Sequence, residues 1–189
     1  MIDLTQACAR TATLLGQVGD DQLRAATPCS GMDLGAVIAH LGGLAPAFTA
    51  AARKEFGPLT DTPPQLGDAP EDGWRELYPE RLAALAQAWQ DPAAWQGFSR
   101  AGGVDFPAEL GGTIALSEVV VHGWDVAVAA GLPYTVDEPV LQVLLPHVAA
   151  FAEEPVEGLF SAPVPVPGDA PLFDRILGLT GRDPAWSAA

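Results

Sequence analysis

Residues 113–130, TIALSEVVVHGWDVAVAA, decide the fold. No proline interrupts this stretch, and its one glycine is Gly123. It is too long for a strand of about 4–8 residues and suits a helix of about 8–20. Apolar residues lie on almost every side of it, which predicts a central helix buried on more than one face. Into that apolar wall the sequence sets Glu118, His122 and Asp125. Offsets of four and three stack all three on one helical face. Three ionisable groups on a buried strip are costly unless each has a partner. A metal ion is one such partner, satisfying carboxylate and imidazole together. Val119, Val120 and Val121 are β-branched and would also suit a strand. A strand would keep Glu118 and His122 on one face and turn Asp125 away.

Working outward, Leu4, Ala7, Cys8, Thr11, Leu14, Leu15 and Val18 recur at helical spacing and predict a first helix over 2–18. A short turn of helix is expected at 22–25. In TPCSGMDLGAVIAHLGG, residues 27–43, Ser30 and Asp33 resemble a capping box and place a second helix start near Met32 or Asp33. Its apolar stripe is Leu34, Val37, Ile38, Leu41, Ala45 and Phe48, with His40 at the edge, and it is expected to pass Pro46 and end near Phe56. Pro58, Pro63, Pro64 and Pro70 make 57–72 a surface loop. A third helix is expected over 73–90, irregular chain over 91–112, and a fifth helix over 137–153. His147 falls in that fifth helix and reads as a packing or surface histidine. SAPVPVPGDAP should be extended, and a last helix over 171–179 closes the chain.

The 189 residues carry 24 acidic and 9 basic side chains, a formal net charge of −15. Such a surface repels phosphate backbones and anionic membranes, so neither nucleic acid nor membrane is an expected partner. No signal peptide and no run of about 18 apolar residues free of charge is read. Hydrophobic content of 49% argues for a folded chain, read as a single domain over 1–189. Cys8 and Cys29 form neither a CxxC motif nor a disulfide framework, and the cytoplasm is the expected compartment.

The chain has three histidines. Glu118 and His122 sit one turn apart, and His40 lies on another inward-facing helix. A set of two histidines and one glutamate leaves positions open for water or substrate, as catalytic zinc sites do. Non-haem iron uses similar ligands. Taken alone, a histidine at the edge of an apolar stripe, as His40 is, reads more often as a hydrogen-bonded packing residue than as a ligand. Cys29 lies eleven residues before His40, roughly 16 Å in a continuous helix. Only a turn folded back at Gly31 would shorten that span, so neither Cys29 nor Cys8 is expected to ligate.

TPCSGMDLGAVIAH, then SEVVVHGWDVAVAAG, then PGDAPLFDRILGLTGRDPAW together resemble the mycothiol-dependent maleylpyruvate isomerase N-terminal family, part of the DinB-like superfamily of metal-binding helical bundles. The resemblance implies an all-α DinB-like four-helix bundle with additional short helices. It implies a divalent metal, zinc first and nickel or iron as alternatives, on His40, Glu118 and His122. Asp125 then orients a ligand. Mycothiol would be the cosubstrate of a thiol transferase acting on an electrophilic substrate. Metal-dependent hydrolysis and a non-catalytic metal-binding or ligand-sensing module are the alternatives, and a homodimer is allowed. Two positions depart from the family: Met32 stands where a tryptophan is usual, and Val128 where an arginine often anchors an anion. The further C-terminal domain of the isomerase is not read in the sequence, so isomerase activity is not carried over.

Overall fold

Helix α4, Ala108–Ala129, is the centre of the molecule, and every residue from Ala115 to Ala127 is buried. The structure, a computed structural model, describes residues 1–63, 67–153 and 160–188. Around α4 stand α1 (Thr5–Leu15), α2 (Leu34–Arg53) and α3 (Trp74–Ala88). α1 and α2 each pack on both α3 and α4, so the four close a bundle in the order α1, α3, α2, α4. α5 (Glu138–Glu153) lies against α4, and α6 (Leu172–Leu179) lies against α5. The fold is all-α, a four-helix bundle with additional short helices, and the apolar stripes at helical spacing predict such a bundle.

α2 carries His40, and its seating shows how the bundle tolerates a proline. Pro46 has no N–H, which frees the carbonyl of Gly42 one turn earlier. Arg81 of α3 donates from Nη1 to that carbonyl at 3.0 Å. Gly42 itself lies against the Tyr78 ring, where a Cβ would come within 2.2 Å. α2 starts on Asp33, whose side chain accepts from the Ala36 N–H at 2.9 Å. Asp33 is therefore the cap itself, in place of the expected Ser30–Asp33 pair. α2 ends at Arg53, short of Phe56. By length and composition α2 is, among the described helices, the one that could cross a membrane, although His40 and Thr49 interrupt its apolar run. Its uncharged run is 72% buried inside the bundle, where it serves as core.

The stretch 91–112 is more ordered than its glycines and prolines suggest. It holds a 3₁₀ turn at Pro92–Trp95 and an antiparallel hairpin, β1 (Phe98–Ala101) with β2 (Val104–Pro107). Gly102 and Gly103 both have positive φ, the requirement of a tight two-residue hairpin turn. Ser99 Oγ donates to the Ala51 carbonyl at 2.8 Å and pins the hairpin to α2. α4 begins at Ala108, earlier than expected, because Gly111 and Gly112 continue the helix. A Cβ on Gly112 would come within 2.4 Å of Trp95, so these glycines serve close packing. Pro64, one of the expected loop breakers, lies outside the described residues.

Candidate metal centre

α2 and α4 run antiparallel. Ser99 ties the hairpin that feeds the start of α4 to Ala51 near the end of α2. His40 consequently faces Glu118 and His122. Glu118 Oε2 lies 3.1 Å from His40 Nε2 and 3.3 Å from His122 Nε2. The two imidazoles meet edge to face, with ring centroids 4.8 Å apart. One ligand atom from each of the three residues lies within 4.8 Å of the others. Bonds of about 2.0–2.1 Å to a tetrahedral ion would space its ligand atoms about 3.3 Å apart, so this donor set fits one small divalent ion. Among the described residues, His40 Nδ1 is buried without a hydrogen-bond partner, so the hydrogen bonds of the cluster leave one of its ring nitrogens unused.

Asp125 stands one turn beyond His122, on the same face. His122 Nδ1 donates to Asp125 Oδ2 at 3.0 Å, which directs Nε2 toward Glu118. Asp125 is fully buried and is held by Arg182, whose Nη2 donates to Oδ2 at 2.9 Å. Arg182 also donates from Nη1 to the Thr180 carbonyl at 2.8 Å. Sequence reasoning assigned Arg182 no role. α6 ends in a turn where Gly181 has φ of +80° and the Arg182 N–H bonds back to the Leu177 carbonyl. That is a glycine-terminated helix end in which the residue after the glycine usually makes an apolar contact. An arginine at that position is the signal the sequence offers, and the structure leaves it 4% exposed.

Cys29 needs a correction. Gly31 takes φ of +83° and the Met32 N–H bonds to the Cys29 carbonyl, so the chain folds back. Cys29 Sγ ends within 4.8 Å of ligand atoms of His122 and Asp125. Burial pushes its thiol up to about 11 against the pull of Arg182, which keeps it protonated at neutral pH. Cys8 is in the core on α1. Met32 lines the same cavity, with its sulfur 3.7 Å from Cys29 Sγ. His147 sits edge-on to Phe151 at 4.9 Å, and burial lowers it to about 4. Val128 is not among the cavity-lining residues; the arginine that reaches the cavity is Arg182.

The cluster opens onto a cavity of about 500 Å³ between α2, α4, the hairpin and the segment around Phe160. Burial opposes the charge on Glu118, but hydrogen bonds from His122 and His40 outweigh it and hold the carboxyl well below its usual range. Burial alone would lower His122; its bonds to Asp125 and Glu118 raise it to about 9. In metal-free protein the Glu118 contribution is present above about 4.5 and is lost as pH falls through its depressed value. The His122 contribution is complete below 6.5 and is lost as pH rises to about 9. Stability of the metal-free protein should therefore peak between about 4.5 and 6.5 and decline as pH rises toward 9. Saturating zinc should oppose that fall, since binding needs an unprotonated imidazole. Urea unfolding across this pH range, with and without zinc, checks it.

Residues 4–127 match the family model described as the mycothiol maleylpyruvate isomerase N-terminal domain. Two solved structures are similar: the mycothiol-dependent maleylpyruvate isomerase and a histidine-to-alanine mutant of it. Each is 20% identical with a TM-score of 0.60, over 80% of this chain and 69% of that one, a likeness of fold. No curated protein sequence matches the chain. With more than half of its length matched by the family model, the chain belongs to the mycothiol maleylpyruvate isomerase N-terminal domain family.

Proposed function

We propose that His40, Glu118 and His122 hold one divalent ion, zinc with nickel or iron as alternatives. The protein would use it to transfer a low-molecular-weight thiol of the mycothiol type to an electrophile, in the cytoplasm. The observation that carries this reading is the convergence of the three donors at the wall of a 500 Å³ cavity. A structural zinc site is closed by four protein ligands, whereas three leave a side for a substrate. When bound, the ion lowers the pKa of a coordinated thiol, so that a thiolate faces the electrophile. Glu118 supplies the negative charge of the site, and the histidines supply Nε2 donors. Asp125 keeps the His122 proton on Nδ1, and Arg182 keeps Asp125 in place. The site draws on residues from His40 to Arg182, which supports reading 1–189 as a single domain.

Metal-loaded protein incubated with mycothiol and a panel of alkyl halides, epoxides and activated alkenes tests the reading by mass spectrometry. Thioether products should form with metal-loaded protein and fall to background after chelation. Full metal occupancy with no product from any electrophile would reject the transferase and leave metal-dependent hydrolysis or a non-catalytic metal-binding or ligand-sensing module.

A further inference from the structure

The cavity has two chemically different ends, and the metal cluster lies between them. Beyond His122, toward Asp125, the lining carries the polar groups of Cys29, Ser30, Ser161 and Arg182, beside Met32 and Phe160. Ser30 and Ser161 are joined by a hydroxyl–hydroxyl bond of 3.1 Å. In the other direction along the same two helices the lining turns apolar. Ile114 lies one turn of α4 before Glu118, about 6 Å away along the axis. Leu44 and Phe48 lie one and two turns of α2 beyond His40, up to about 12 Å away. Leu59 and Phe106 complete this arm. Among the described lining residues, Arg182 is the one permanent cation, and its guanidinium is committed to Asp125 and the Thr180 carbonyl. An acceptor carrying a carboxylate into the apolar arm would lose its hydration and gain no protein cation there, and with Glu118 and a coordinated thiolate balancing the two charges of a bound divalent ion, the metal site would carry no net charge to draw it in.

We propose that the acceptor is a neutral, apolar electrophile whose aryl or alkyl body lies along Leu44, Phe48, Leu59, Phe106 and Ile114. This assignment rests on the thiol-transfer reading. With an alkyl halide, a C–S bond replaces the carbon–halogen bond, and halide and the thiol proton leave. With an activated alkene, sulfur bonds to the β-carbon and the thiol proton ends on the α-carbon.

The test compares para-methylbenzyl bromide with para-carboxybenzyl bromide, using metal-loaded full-length protein and mycothiol. The neutral acceptor should have a kcat/KM at least about tenfold higher, the size of effect that about 1.4 kcal/mol of differential binding produces. Leu59→Lys, at a position 54% exposed and so tolerant of a charge, should narrow or reverse that preference. Equal or better turnover of the carboxylated acceptor overturns the proposal. If neither bromide reacts, the transfer reading fails, and calorimetry with unreactive para-methylbenzyl alcohol and para-(hydroxymethyl)benzoate still decides the cavity's preference. Tighter binding of the alcohol, weakened in Leu59→Lys, upholds the apolar arm; tighter binding of the benzoate in the unsubstituted protein refutes it.

Discussion

Arg182→Ala should cost the fold about 3–5 kcal/mol, the penalty for leaving one member of a buried ion pair without the other. Asp125 has no exposed surface, and Arg182 has 4%. Burial opposes charge on Asp125; the bond from His122 and the adjacent Arg182 charge more than offset this, and its carboxyl stays below the usual range. Without Arg182, His122 alone faces that buried charge among the described side chains. Asp125→Asn combined with Arg182→Met removes both charges and should be less destabilised than Arg182→Ala alone. Urea unfolding of the variants gives the comparison. A loss under 1 kcal/mol for Arg182→Ala would mean that the pair does not hold the C-terminal segment to α4. The same variant should weaken metal binding by about 10–100-fold, the usual effect of disturbing a group that orients a ligand.

His122→Ala should leave the helices in place and reduce thiol transfer by about two to three orders of magnitude. A bound divalent ion acting as a Lewis acid contributes several kcal/mol, and each 1.36 kcal/mol is a factor of ten in rate. Chelation of the unsubstituted protein should give the same loss with an unchanged far-ultraviolet spectrum. The reason is that α1–α4 bury a continuous apolar core that needs no ion to close it, unlike a zinc finger. Unfolding at room temperature on chelation would make the ion structural and remove the basis of the transferase reading.

Much of this was legible because it depends on helical period. Glu118, His122 and Asp125 share a face by spacing alone, and the structure places them on one strip of a buried helix. His40 sat at the edge of an apolar stripe, and the antiparallel pairing of α2 with α4 turns it inward. What spacing cannot supply is contact across long separations. Arg182 meets Asp125 from 57 residues away, and no spacing within either helix names that partner. Cys29 was placed too far off because a helical rise was applied to a segment that reverses at Gly31. The hairpin at 98–107 was hidden because its strands have four residues each and carry little periodic signal. Gly111 and Gly112 fall in a stretch expected to be irregular, yet they continue α4 and are points of close packing against Trp95 and Trp89.

The most direct test of the central claim is the metal content of freshly purified protein, measured together with that of His122→Ala under the same conditions. One equivalent of a divalent transition metal per chain in the unsubstituted protein, and a small fraction of that in His122→Ala, is the expected result. Equal metal content in the two proteins would contradict the assignment of His40, Glu118 and His122 as the metal centre.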